Sequence, residues 1–85
     1  MKTENKLQRA SVMRAKDLGG KVQIICADDQ GLLSVYMDYQ PFCRFTRILC
    51  ESGMKMKGTI IEFNREQVRV ALPDRRWQQM AITAR

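Results

Sequence analysis

The spacing of apolar residues changes along the chain, and each spacing predicts a different element. Between Leu7 and Leu18 the apolar positions Leu7, Ala10, Met13 and Leu18 form an imperfect helical stripe among good helix formers. Thr3 can cap a helix start, Glu4 complements its dipole, and Gly19-Gly20 offers a stop. A short helix within residues 1–20 is therefore expected. From Lys21 the period becomes two. Val22, Ile24 and Cys26 alternate with Lys21, Gln23 and Ile25, and after the turn Asp28-Asp29-Gln30-Gly31 the residues Leu33, Val35, Met37 and Tyr39 alternate again. That pattern predicts a hairpin, which Pro41 ends.

The second half continues in short strands. Arg44–Cys50 is rich in β-formers and runs into the turn Glu51-Ser52-Gly53. A ten-residue strand is predicted from Met54 to Phe63, with a change of phase at Gly58 that suggests a bend. Asn64-Arg65-Glu66 reads as a turn, Val68–Leu72 as a half-buried strand, Pro73-Asp74 as a turn, and Trp77–Thr83 as a last, more polar strand. The sum is a mainly β (α+β) fold. It has a short N-terminal helix followed by a small, strongly bent antiparallel β-barrel of five to six strands, since closure hides strand edges. At 85 residues one domain is expected, divided into the helix (1–20), an additional hairpin (21–42) and a basic barrel portion (43–85).

Composition narrows the chemistry. The chain contains no histidine, which removes Ser-His-Asp and Cys-His catalysis and most zinc sites. No carboxylate pair stands in an apolar setting that would split two pKa values, so no enzyme, cofactor or metal is expected. Cys26, Cys43 and Cys50 fit no Cys-x-x-Cys pair and are an odd number. Each falls in an apolar run, so all three are expected to be buried, reduced thiols. Met1–Lys6 lacks the apolar stretch of a secretion signal and no apolar run approaches a membrane span, so a cytoplasmic location without membrane contact is expected.

Charge points to a polyanion. The net charge is +6, but residues 1–42 carry six Lys/Arg against five Asp/Glu, whereas residues 43–85 carry nine against four. Clustered cations are the footprint of a phosphate backbone, because each neutralised phosphate releases counterions. Lys55 and Lys57 share one face of their expected strand, Arg69 lies on the next, and Arg65 is in the connecting turn. Arg75-Arg76-Trp77 sets two guanidinium groups beside an indole on which a base can stack. These seven residues are the candidate nucleic-acid site. The competing reading of each is a solvated strand face, with Trp77 capping the core. Tyr36, Tyr39, Phe42 and Phe45, interrupted by Arg44 and Arg47, form a second candidate patch. It suits base stacking or a protein partner equally, since aromatic residues and Arg are enriched at hot spots. Alternation groups Tyr39 with the buried set and leaves Tyr36 outward.

Residues Arg44–Arg85 resemble the Sm-like family, and within it the Hfq branch of bacterial RNA chaperones. Gly53, Lys55, Gly58, Ile60, Phe63 and Asn64 fit the family's pattern of two glycines five residues apart leading to Phe-Asp or Phe-Asn. Val68–Leu72 matches the next strand, and Met80-Ala81-Ile82-Thr83 the stretch written His-Ala-Ile-Ser in that branch. The pattern also occurs in SH3-like barrels. The resemblance implies a bent five-stranded barrel, ring-shaped homo-oligomers formed through edge strands, and binding of single-stranded RNA. Gln79 and Met80 stand where the Hfq branch carries the Lys-His pair of its uridine pore. The expected function is a small, basic, regulatory RNA-binding β-barrel. The alternative is a protein-interaction module, a regulator or inhibitor that docks on a larger acidic protein.

Overall fold

The computed structural model describes residues 6–83. Six strands and one helix follow in the order β1 (Gln8–Asp17), β2 (Lys21–Asp28), β3 (Gly31–Asp38), α1 (Tyr39–Glu51), β4 (Ile60–Phe63), β5 (Gln67–Ala71) and β6 (Trp77–Ala81). The strands form one antiparallel sheet in the order β3-β2-β1-β4-β5-β6. The molecule is mainly β, as the period-two alternation requires.

The element at the centre of the sheet is the one that the sequence presents as a helix. In β1, Ala10 and Val12 point inward between the outward Arg9 and Ser11, and Met13 is an extra residue between Val12↔Cys26 and Arg14↔Ile25. Such a bulge bends a strand. The first half of β1 pairs with β4, from Gln8↔Phe63 to Ser11↔Ile60, and the rest pairs with β2. Two ladders of backbone hydrogen bonds override a weak helical propensity. Gly19-Gly20 is then a hairpin loop rather than a helix stop. Both residues have positive φ, +85° and +95°, as the tight hairpin turn with right-handed twist demands.

The helix lies later in the chain. Tyr39–Glu51 buries Pro41, Phe45 and Leu49, a stripe at four-residue spacing, against the concave face of the sheet. Pro41 does not break the chain here, because a proline in the first helical turn forfeits no intrahelical bond. The stop is a Schellman arrangement. Gly53 at φ +68° donates its N–H to Cys50 O at 3.1 Å, and Met54 N–H donates to Leu49 O at 2.8 Å. Ser52-Gly53 therefore ends a helix and does not link two strands. Residues 54–59 are irregular, and the expected ten-residue strand shortens to β4. Gly58 N–H donates to Val12 O and Val12 N–H to Thr59 O, both at 2.8 Å, which ties this segment to the bulge in β1.

The core fills the concave side of the sheet with Val12, Ile24, Cys26, Ile61, Val68 and Val70 around Phe45 of the helix. Cys26 is buried as expected, and desolvation pushes its thiol up to about 11. Cys43 and Cys50 are exposed, because they lie on the solvent side of α1 rather than on a strand. The sheet curls until its two edges approach one another but does not close into a barrel. Among the described residues one backbone bond bridges them, from Asp38 N–H to Ile82 O at 3.0 Å. Among the described residues no helix is long and apolar enough to cross a membrane.

Candidate nucleic-acid interface

The outer face of β1, β4, β5 and β6 is built by register. Arg9 stands opposite Glu62, Glu62 opposite Arg69, and Arg69 opposite Gln79, which makes one row across four strands. Trp77 stands opposite Ala71 and so lies diagonal to Arg69. The row is tightly bonded. Arg9 Nε and Nη2 donate to Glu62 Oε2 at 3.1 and 2.7 Å, and Arg69 Nη1 donates to Glu62 Oε1 at 3.1 Å. Both guanidinium groups also lie over the indole of Trp77, at 5.6 Å for Arg9 and 5.1 Å for Arg69 from the ring centroid. These are cation–π distances. One carboxylate thus holds two arginines, and one indole lies under both.

The remaining cations of the expected site sit on loops. Lys55 and Lys57 project from the irregular segment between α1 and β4. Together with Ile60, Ala71 and Pro73 they line a shallow depression that joins them to the face carrying Trp77. Arg75 and Arg76 occupy the turn between β5 and β6, at the same end of the sheet. That turn is fixed by Leu72 N–H to Arg76 O at 2.8 Å and Arg75 N–H to Leu72 O at 3.1 Å, with Arg75 at φ +71°. Asp74 accepts from the Arg76 backbone N–H at 3.2 Å and from its Nε at 2.7 Å. The backbone N–H first, and the guanidinium after it, hold the Asp74 carboxyl below its ordinary value. Counted together, Arg9, Arg69, Lys55, Lys57, Arg75 and Arg76 face the carboxylates of Glu62 and Asp74, so the surface keeps a clear positive excess. Arg65 is not part of it. It lies in the β4–β5 turn, at the opposite end of β4.

The second expected patch does not form one surface. Phe45 is fully buried and belongs to the core. Phe42 is partly buried and packs on it with ring centroids 6.4 Å apart. Arg44 and Arg47 lie on the solvent side of α1. Tyr36 points outward from β3, half exposed, as alternation requires. Tyr39 is also half exposed, because it opens the helix instead of continuing the strand. Reading residues 44–50 as a strand is what placed these side chains together.

Arg9 and Glu62 were not among the expected site residues. Arg9 falls in the segment that reads as a helix, and only a strand assignment for residues 8–17 puts it on the polar face beside Glu62. No protein-family model matches this chain, and neither a curated protein nor a solved structure matches it.

Proposed function

We propose that the protein is a small, non-enzymatic binder of single-stranded nucleic acid, RNA in particular, which serves a regulatory role by docking on phosphates. The observation that carries this reading is the meeting of two cationic loops, Lys55–Lys57 and Arg75–Arg76, beside Trp77 at one end of the sheet. Loop lysines and arginines place point charges where a flexible phosphate backbone can reach them, and an indole at the strand margin offers a stacking face. The binding energy is electrostatic, with at most limited stacking, because Arg9 and Arg69 already cover part of the indole.

Trp77 is the chain's one tryptophan, so its fluorescence reports on this surface directly. Titrating the protein with single-stranded RNA should change that emission. If the four loop cations each meet a phosphate, log Kobs against log salt should have a slope of about −3, from roughly −0.7 per contact on single strands. No binding at low salt, or binding with a flat salt dependence, would sink the proposal. Recovery of one acidic protein in a nuclease-insensitive pull-down, with no RNA bound in the titration, would favour the interaction-module reading instead.

A further inference from the structure

The curled sheet leaves an opening at the end away from Lys55 and Lys57. Between the outer edge of β3 and the ends of β1, β4 and β6 lies a cleft of about 570 Å³. The buried residues Val35, Phe63 and Ile82 form part of its lining beside Tyr36, Arg65 and Lys6, and among the described residues no Asp or Glu lines it. Such a volume suits a small organic ligand. Two cations without a carboxylate select an anion, and an apolar floor beside a half-exposed tyrosine selects a flat ring.

The backbone adds directional groups. Lys21 O accepts from Leu18 N–H, so the backbone of Lys21 faces β1, and its partner Asp38 faces away from β2 toward Ile82. Antiparallel pairing alternates, so the N–H and C=O groups of Tyr36 and Ser34 also point away from β2, across the seam. Donors and acceptors on an extended edge suit the polar rim of a nucleobase.

We propose that this cleft is a binding site for a single nucleoside phosphate, whose base stacks on Tyr36 and whose phosphate meets Arg65 and Lys6. The site is independent of the loop cations and requires no polymer. The nucleotide arrives either free or as one unstacked residue of an RNA strand.

The test is to titrate isotope-labelled protein separately with AMP, UMP, adenosine and inorganic phosphate, following the backbone amides by NMR. At least one nucleotide should shift the amides of Tyr36 and Arg65 saturably. Adenosine and phosphate should bind much more weakly, since each offers half of the recognised chemistry. Tyr36→Ala and Arg65→Glu should each weaken nucleotide binding by about tenfold, as expected for one stacked base and one charge-assisted contact. Both side chains are exposed, so both variants should keep the parent spectrum elsewhere. No saturable shift with either nucleotide would overturn the proposal. So would phosphate binding as well as AMP, or affinities indifferent to both substitutions. A short single-stranded RNA distinguishes the two sources. Tighter shifts of the same amides assign the nucleotide to RNA, whereas UMP binding that RNA does not reproduce assigns it to the free ligand. Failure of the cleft with an intact Trp77 response to RNA leaves the proposed function standing, and the converse result leaves the cleft standing.

Discussion

The two cationic regions of this protein are in different electrostatic states. On the sheet face, Arg9 and Arg69 are both bonded to Glu62, whose side chain is only 16% exposed. At the loop end, Lys55, Lys57 and Arg75 form no ion pair among the described residues. An arginine already held by a carboxylate must lose that bond before it meets a phosphate, whereas a solvated lysine gives up only water and counterions. The count of cations therefore overstates the number of phosphate sites. The face is held in ion pairs, as Arg76 is by Asp74 at 2.7 Å, and Lys55, Lys57 and Arg75 carry the charge without an ion pair among the described residues.

The largest expected effect separates the two regions directly. The double variant Lys55→Glu/Lys57→Glu should weaken RNA binding by roughly ten- to a hundredfold and lower the magnitude of the salt slope by about 1.4, from roughly 0.7 per lysine removed on single strands. Its melting temperature should barely change, since neither ammonium group has a bonded partner among the described residues. The reversal Arg69→Glu should do the opposite. It sets a carboxylate against Glu62 and removes a cation from the indole, so stability should fall more than affinity. Equal effects of both variants on RNA binding would erase the distinction.

The contrast between enclosed and open groups extends to the thiols. Cys26 is buried and its pKa is pushed to about 11 by desolvation, from an ordinary value of 9.0. The folded state prefers the neutral thiol, so this contribution to stability is complete below pH 9 and is lost as pH rises toward 11. The full loss is about 2–3 kcal/mol, since each tenfold weakening of the thiol's acidity corresponds to roughly 1.4 kcal/mol. Denaturant titrations across that range should show the decline, and Cys26→Ala should flatten it. Near neutral pH a thiol reagent should modify Cys43 and Cys50 quickly and Cys26 only on unfolding. Three equally fast thiols would contradict the buried position.

How far the sequence reveals this arrangement depends on what sets each period. The hairpin of β2 and β3, and the strands β5 and β6, are legible because one buried face imposes a period of two, as in Val22, Ile24, Cys26 and in Val68, Val70. β1 carries the same signal in Ala10 and Val12, but the bulge at Met13 shifts its phase, and the sum over residues 7–18 imitates a helix. α1 hides in the other direction. Phe45, Thr46 and Ile48 are β-formers, and the stripe Pro41, Phe45, Leu49 begins with a proline that reads as a breaker. Arg75 and Arg76 lie in the turn that Pro73-Asp74 announces, whereas Lys55 and Lys57 read as one face of a strand and stand instead in the irregular segment before β4. The Arg9–Glu62–Arg69 row was not recoverable, because it depends on registers between β1, β4 and β5 that no local pattern encodes. The cleft depends on the curl of the whole sheet.

A smaller effect tests whether Glu62 restrains the face. Glu62→Gln keeps the shape of the side chain and removes the charge that two guanidinium groups share. Stability should fall by about 1–2 kcal/mol, as expected for charge-assisted hydrogen bonds on a partly buried acceptor. RNA affinity should rise severalfold, because Arg9 and Arg69 become available to phosphate and the surface loses a negative charge. If affinity instead stays level while stability drops, the face contributes nothing to binding even when its cations are released.

The smallest effect concerns one residue at the loop end. Arg75 holds φ +71°, a conformation that costs an L-residue about 1 kcal/mol and a glycine very little. Glycine avoids that cost in the folded state, as at Gly53 and Gly58. Arg75→Gly relieves the backbone but enlarges the conformational freedom of the unfolded chain by a similar amount, so stability should change by less than about 0.5 kcal/mol. RNA affinity should nonetheless fall severalfold and the salt slope should shrink by roughly one phosphate contact. A guanidinium kept in a backbone conformation that disfavours its side chain would then be there for its charge. A variant that is clearly more stable and binds RNA as well as the parent would remove Arg75 from the interface and leave Lys55, Lys57 and Arg76 to account for it.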